Sequence, residues 1–456
     1  MLVDTHCHLD CDDFDRDLSD VLERARRSGV ARMITVGCNR QSSERSVELS
    51  GMFEELYAAV GIHPHDARHA DSTTLDALAR LAEQNRKVVA IGEIGLDYYR
   101  DLSPRDVQRD VFRQCIRLAV RLKLPLIVHS RDAMEDTLSL LKDEIPGKVR
   151  GVMHCFSGDQ GALRHCLELG LFISCTCAVT FSNASRLKEV ARAIPVERLL
   201  LETDSPYMAP QEFRGKRNEP AYIVSLAQEL ARLHALTPED IGRITTHNAQ
   251  DLFGLEIASA PQVAYAIRDS LYLNITNRCT SNCSFCVRDY SNFVKGHNLK
   301  LSDEPSLETI ARELSDLSRY KEVVFCGFGE PTLRLDIVKA VSRELKKRGT
   351  RTRLVTNGHG DLINGRSIAP ELKGLIDRVS ISLNADSQAV YDRIARPSFG
   401  ASSYTAVLDF IRSCVREGFE TEVTCLNLDG VDTKQCEELA RGLGASFRLR
   451  KLGIVG

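Results

Sequence analysis

At 456 residues the chain is long for a single hydrophobic core, so two or more domains are expected. Its composition, 43% hydrophobic and 27% charged, is that of an ordinary globular protein, and no run of eighteen apolar residues marks a membrane span. The net charge of -3 combines -7 over residues 1–257 (32 Lys+Arg against 39 Asp+Glu) with +4 over residues 258–456 (28 against 24), so the first part is no basic nucleic-acid clamp, although bound divalent cations would offset part of its negative charge.

The chain enters directly into an apolar run, Leu2-Val3-Asp4, with neither a basic n-region nor an apolar h-region, which argues for the cytoplasm. Fifteen cysteines scattered over this length do not form a disulfide framework. The first strand ends in His6-Cys7-His8. Residues i and i+2 of a strand share a side, so His6 and His8 project together as a pair of metal ligands would. Further strands are expected at 33–37, 57–62, 88–91, 126–129, 151–154, 171–175 and 199–202. Helical spacing lies between most of them, clearest over 105–123. Eight strands with intervening helices fit a (β/α)8 barrel, although a doubly wound sheet has a similar pattern. The polar residues favour the barrel. His6, His8, His63, His65, Glu93, His129, His154, Glu202 and Asp204 all fall at carboxyl ends of strands, the face where barrel enzymes carry their sites. Imidazoles and carboxylates without clustered cysteine suit Zn, Mn or Mg, and the set is large enough for two ions.

The stretches VDTHCHLD, VGIHPHDA, AIGEIGLDYYRDLSPRDVQRDVF, PLIVHSRDA, MHCFSG, LLLETDSPYMAP and RGKRNEPAYI resemble the TatD family of metal-dependent deoxyribonucleases, in the family's order, over residues 1–256. The resemblance implies a TIM-barrel metallohydrolase. It makes His6, His8 and Asp204 ligands of one metal, His129 and His154 ligands of a second, and Glu93 the bridge. Asp204 could double as the base that orients the attacking water. His63 and His65 match a motif near the substrate phosphate, and Arg214, Lys216 and Arg217 follow the last strand as further phosphate contacts. Cys7, Cys38, Cys155, Cys175 and Cys177 read as small buried residues.

A last helix is expected over 237–254, with Thr237 as N-cap and Pro238 at its first position. Residues 257–267 read as a short linker, and a new strand begins at 270–275. It is followed by Cys279, Cys283 and Cys286 in a C-x3-C-x2-C spacing. Three thiols on one loop suit a cluster or a metal ion better than disulfides. Zinc would need a fourth ligand, for which His297 is the near candidate, whereas a [4Fe–4S] cluster on three cysteines keeps one iron open. Cys326 reads as core packing, and Cys414, Cys425 and Cys436 have no cluster spacing.

This loop, with Phe285 just before its last cysteine, resembles the radical S-adenosylmethionine superfamily. The resemblance continues through Gly329-Glu330-Pro331, whose backbone and Glu would hold the methionine amino group, through Thr356 and Asn357, and through Ser382 and Asn384, which would face the ribose and carboxylate. The second part most resembles radical proteins fused or linked to TatD nucleases, including the stretch SLNADSQAVYDRIARPSFG. It implies a six-stranded partial barrel over 268–456, with fifth and sixth strands at 422–428 and 447–452. A Gly-x-Ile-x-Gly pattern common near the adenine is not found.

The expectation is therefore a bifunctional α/β enzyme. One part hydrolyses DNA or another phosphodiester with two divalent ions, exonucleolytically. The other cleaves S-adenosylmethionine with a [4Fe–4S] cluster and an electron donor such as flavodoxin or ferredoxin, on an unassigned substrate. The alternative is a metallohydrolase of a non-DNA ester, amide or small phosphoester, with the second domain modifying the same substrate or sensing redox state.

Overall fold

In the first part of the chain, short apolar strands alternate with amphipathic helices, and parallel pairing brings the strands together in sequence order. The computed structural model describes residues 1–450. Two units separate between Ala258 and Ser259. In the first, β1 (Leu2–Cys7), β2 (Val30–Val36), β3 (Leu56–Val60), β4 (Val88–Asp97), β5 (Leu126–Arg131), β6 (Gly151–Met153), β7 (Phe172–Cys175) and β8 (Leu199–Leu201) form one parallel sheet in the order 1 to 8. Its register is interrupted between Asp4 and Cys7 of β1 and between Ile91 and Ile94 of β4, the stretches that carry His6 and Glu93. Such irregularities re-aim side chains out of strict alternation.

The sheet is a nearly closed barrel. No ladder joins β8 to β1. The Asp4 carboxylate bridges the gap instead, accepting from Thr203 N (2.9 Å) and Thr203 Oγ1 (2.5 Å). Thr5 Oγ1 donates to Leu201 O at 3.0 Å, and the chain after β8 bonds back through Asp204 N to His6 O (2.9 Å). Burial pushes the Asp4 carboxyl up to about 7. Val3, Ile34, Ala59, Ile127, Val152 and Leu200 form one apolar cluster with Ala249, Leu252 and Phe253 of the helix Pro238–Phe253, while the flanking helices pack on the alternate strand positions. That helix has the expected cap: Thr237 accepts from Asp240 N, with Pro238 at its first position.

Several strand ends differ from expectation by two or three residues, and the fourth strand differs most. The fourth strand does not stop at Ile91 but continues to Asp97. Gly95 is an approach point: at φ +143° a Cβ there would lie 2.0 Å from His129 O, so only glycine lets β4 run this close to β5.

The second unit is a seven-stranded sheet in the order β17-β16-β15-β14-β13-β10-β9. Its strands are β9 (Ala264–Ile267), β10 (Ser270–Leu273), β13 (Glu322–Phe325), β14 (Arg351–Thr356), β15 (Arg378–Ser382), β16 (Glu420–Leu426) and β17 (Ser446–Arg450). A two-stranded ribbon, β11 (Phe293–Val294) with β12 (His297–Asn298), lies between β10 and β13 in the chain. Six of the seven sheet strands are parallel. The seventh, β9, pairs antiparallel with β10 across a two-residue turn. The segment 257–267, read as a linker, is thus not all connector. Residues 451–452 of the expected last strand lie outside the described residues. Among the described residues no helix is long and apolar enough to cross a membrane.

Candidate functional site

At the carboxyl ends of the barrel strands the Glu93 carboxylate has two sides. His6 Nε2 and His8 Nε2 lie 3.2 Å apart, at 3.5 and 3.8 Å from Glu93 Oε2 and at 3.7 and 3.4 Å from Asp204 Oδ1. Donors roughly 2.0–2.2 Å from a tetrahedral ion stand about 3.3–3.6 Å from one another, so these four atoms fit a divalent cation. Glu93 Oε1 faces the other way, 2.8 Å from His129 Nδ1, 3.6 Å from His154 Nε2 and 3.5 Å from His63 Nε2. All these groups are buried except His129, which is partly exposed. Asp204 and Cys155 sit at positive φ, 56° and 45°, just past β8 and β6. Such conformations concentrate where structure is held for function.

The outer contacts set the tautomers. His8 Nδ1–H donates to Val36 O at 2.9 Å, which leaves Nε2 as a lone pair toward the cluster. His154 Nδ1 lies 3.0 Å from Glu202 Oε1, which also accepts from Cys155 N (2.6 Å). His129 Nε2 lies 3.3 Å from Asp97 Oδ2, and that oxygen also takes His65 Nε2 at 2.9 Å. His63 differs. Its Nδ1 accepts from His65 N, so the neutral ring carries its proton on Nε2, aimed at Glu93. That tautomer donates and does not ligate.

The charges follow. Burial would raise the Glu93 carboxyl, but His63, His154, His129 and His6 hold it well below the usual carboxylate range, and His8 does the same for Asp204. Despite burial, Glu202 and Glu93 push His154 up to about 9, and His8 and His129 are raised as well. Burial instead lowers His6 and His63. Without cations His8, His129 and His154 take up protons to match the carboxylates, which is the balance that metal ions would supply. Cys38 Sγ lies 3.8 Å from both His8 Nδ1 and Glu93 Oε2, and burial pushes its thiol up to about 12, so it borders the centre as a neutral group.

The basic run is divided. Arg217 is committed to Asp17 through bonds of 2.9 and 2.6 Å and lies over Phe14. Arg214 and Lys216 are exposed, lying over Phe181 and Phe213, with no carboxylate partner among the described residues.

In the second unit Cys279, Cys283 and Cys286 lie on the loop after β10, all half-buried, with Phe285 beside them. Arg288 binds that loop from within: its Nε donates to Cys286 Sγ at 3.1 Å and its terminal nitrogens to Asn277 O and Ser281 O. The segment 394–398, inside the stretch SLNADSQAVYDRIARPSFG, clamps the loop from outside. Asn282 N bonds Ala395 O, Ser284 N bonds Ile394 O, and Ser398 N bonds Thr280 O. Gly329 lets the turn after β13 touch the loop, since a Cβ there would fall 2.1 Å from Arg278 O. Three thiols so fixed, on a loop that opens at strand ends, fit the donor chemistry of an iron–sulfur cluster. His297 is not a fourth ligand: its ring nitrogens contact Gln262 Oε1 and Ala266 O.

Glu330 is buried, with both oxygens occupied. Oε1 accepts from Thr332 N, Thr332 Oγ1 and Thr356 Oγ1, and Oε2 from Asn357 N at 2.7 Å. Its carboxylate therefore braces the turn, Oε1 with three bonds and Oε2 with one. Asn357 Nδ2 reaches Thr280 Oγ1 (3.0 Å) and Cys279 Sγ (3.8 Å). Ser382 Oγ lies 3.4 Å from Thr424 Oγ1, and Asn384, at φ 55°, accepts from Leu426 N. Sequence reasoning gave no role to Asp97, Arg288, or the pair His359 and Tyr391, whose contacts (Thr280–His359 2.9 Å, His359–Tyr391 2.8 Å) back the cysteine loop. Asp97 is four residues from Glu93 within one strand, a same-face spacing that could have marked it.

Residues 3–254 match the family model described as TatD related DNase, and residues 273–443 that of the Radical SAM superfamily. Among similar proteins, the metal-dependent hydrolase YabD of Bacillus subtilis is 46% identical over 253 residues, covering 56% of this chain and 99% of that protein. The 3'-5' ssDNA/RNA exonuclease TatD of Klebsiella pneumoniae is 35% identical, covering 56% and 99%. The crystal structure of the TatD homolog YJJV from Escherichia coli superposes with TM-score 0.53 at 32% identity, over 56% of this chain and 98% of its own.

Proposed function

We propose that this chain, which belongs to the TatD-related DNase family through residues 3–254 and carries a radical SAM domain behind them, joins a DNA-end phosphodiesterase to a radical enzyme. The observation that carries the first half is the division of Glu93, with Oε2 toward His6 and His8 and Oε1 toward His129 and His154. In this reading His6, His8, Glu93 and Asp204 hold one divalent ion, and Glu93, His129 and His154 a second, of Zn, Mn or Mg. When bound, such a pair supplies Lewis acidity toward a phosphoryl oxygen and a water of lowered pKa. The chain's own groups do the rest. Asp204, kept ionised, orients the attacking water and takes its proton. Glu202 and Asp97 fix the rings of His154 and His129. His63 offers its Nε2 proton to the phosphate, beside His65. Arg214 and Lys216 are free to meet neighbouring phosphates, and Arg217 stiffens their loop through Asp17. The 35% identity to a 3'-5' ssDNA/RNA exonuclease supports hydrolysis from the 3' end.

In the second half Cys279, Cys283 and Cys286 hold a [4Fe–4S] cluster. When bound and reduced by a flavodoxin- or ferredoxin-type donor, such a cluster would supply the electron for reductive cleavage of S-adenosylmethionine to methionine and a 5'-deoxyadenosyl radical, the agent for removing a substrate hydrogen. Gly329, Glu330 and Pro331 hold the methionine end, and Phe285, Thr356, Asn357, Ser382 and Asn384 line the rest. In this reading the protein works in the cytoplasm, where such a reductant is held.

Purified protein with Mn²⁺ or Mg²⁺ should release nucleotides from DNA ends, and H129A/H154A should not; equal rates would end the nuclease reading. Anaerobic reconstitution should give about four irons and, on reduction, 5'-deoxyadenosine that C283A cannot make. The -7 charge of residues 1–257 favours a second reading, hydrolysis of a smaller ester, amide or phosphoester. DNA affinity that falls steeply with salt supports the first reading, and a flat response the second.

A further inference from the structure

The second sheet has one face on its helices and one that carries charge. Leu354, Val379, Val423 and Phe447 belong to the apolar layer against the helices, so alternate positions project to the other face. The register puts Arg353 opposite Arg378, Ser380 opposite Glu422, Thr424 opposite Arg448, and Leu426 opposite Arg450. Arg351, Arg353, Arg378, Arg448 and Arg450 therefore share that inner face with Glu322, Glu420 and Glu422. Arg353 lies 2.8 Å from Glu322 and 3.2 Å from Tyr272 Oη. Glu422 is shared among Arg378, Ser380 Oγ (3.1 Å) and Arg448 (3.2 Å). Arg450 has no carboxylate partner among the described residues. In Arg353, Arg378 and Arg450 the Nε is buried without a hydrogen-bond acceptor, and Arg353 is only 7% exposed.

Counting Arg351 and Glu420, which pair with each other on this face, five guanidiniums against three carboxylates leave an excess of two positive charges, and arginine does not shed its proton. Buried donors of this kind are normally satisfied, and a clustered set without acceptors points to an anion brought from outside. S-adenosylmethionine does not fill that need: with a sulfonium, an ammonium and one carboxylate it is itself a net cation. A phosphomonoester does, since it carries about -1.5 to -2 near neutral pH. Arg450 pairs with the last residue of β16, at the carboxyl ends of the parallel strands, where the cysteine loop also leaves β10.

We propose that the inner face of the second sheet is a phosphate receptor built on Arg450, Arg448 and Arg353, and that the molecule from which hydrogen is removed carries a phosphomonoester. The assignment rests on the radical reading of this unit. It names the same chemical group that hydrolysis of a phosphodiester leaves behind.

The test is anaerobic calorimetry on the full, cluster-reconstituted chain loaded with S-adenosylmethionine, in an H6A/H8A/H129A/H154A background so that the first unit holds no phosphate through metal. The probes are orthophosphate and 2'-deoxyadenosine 5'-monophosphate, with 2'-deoxyadenosine as control. Both phosphates should bind saturably and the nucleoside should not. R450Q should weaken them about 10- to 100-fold, the loss of one charge-assisted contact, and R450K should restore most of the affinity. Phosphates that bind no better than the nucleoside, or equally well to R450Q, would overturn the proposal. So would an R450Q variant weakened only toward S-adenosylmethionine, which would assign the arginines to its carboxylate. Production of 5'-deoxyadenosine on reduction of the wild type is scored separately, so failure of the radical reading is distinguished from failure of the receptor.

Discussion

Replacing Asp97 with asparagine isolates one orienting contact of the hydrolytic centre. Asp97 Oδ2 faces His129 Nε2 at 3.3 Å and His65 Nε2 at 2.9 Å, and Oδ1 takes Tyr99 N and Arg100 N. For His129 Nδ1 to present a lone pair beside Glu93, the ring proton must sit on Nε2, where Asp97 accepts it. An amide of the same shape can keep the backbone contacts through its oxygen but turns an NH₂ toward the two rings. His129 then favours the proton on Nδ1, where it blocks ligation. Loss of such an outer contact costs about 10- to 100-fold in metal affinity, or about 1.4–2.7 kcal/mol. The assay is hydrolysis rate against free Mn²⁺ at fixed DNA. D97N should shift the half-saturating Mn²⁺ upward by that factor, with the rate at saturating metal largely recovered. An unchanged Mn²⁺ dependence would refute the reasoning, as would a loss of rate that excess metal does not restore.

Four further outcomes are expected. Because His154 is raised to about 9, a metal must displace its proton below that pH, so affinity should rise from pH 6 toward about 9 with measurable proton release by calorimetry in paired buffers; a flat profile contradicts the charge balance described above. D4A strands the buried Thr203 N–H at the barrel seam and should cost about 1–3 kcal/mol in denaturant unfolding of the first unit, and no loss would mean that the seam is closed by other contacts. E330A leaves donors from Thr332, Thr356 and Asn357 unmatched and should destabilise the second unit by at least about 3 kcal/mol, with reduced iron retention; wild-type iron content and unfolding midpoint would speak against a bracing role. R288A removes a positive donor from Cys286 Sγ and should make the cluster's midpoint potential more negative in a redox titration followed by electron paramagnetic resonance, whereas an unshifted potential would discount the contact.

Much of this was legible in the residues. Histidines and carboxylates recur at strand ends, and the three cysteines have a spacing few other functions use. What the sequence hides is contact at long range and strands without ordinary punctuation. Asp4 and Thr203 are 199 residues apart, and nothing local marks either as the closing pair of the barrel. The strand β9 escaped because its turn to β10 places Arg268 at φ 54°, where Gly or Asn is the usual signal. Glycines 92 and 95 disguised the strand that carries both Glu93 and Asp97. The inner-face arginines drew no notice in the sequence, because only the strand register puts them on one side of the sheet.

In the function proposed, the His6–His8–Glu93–Asp204 and Glu93–His129–His154 groups form a hydrolytic metal centre on a chain whose cysteine loop does separate chemistry. The most direct test is the rate of nucleotide release from 3' DNA ends by the full chain with Mn²⁺, compared among wild type, H129A/H154A and C283A. The account predicts loss of release in H129A/H154A and a rate within about twofold of wild type in C283A. Undiminished release by H129A/H154A would contradict it.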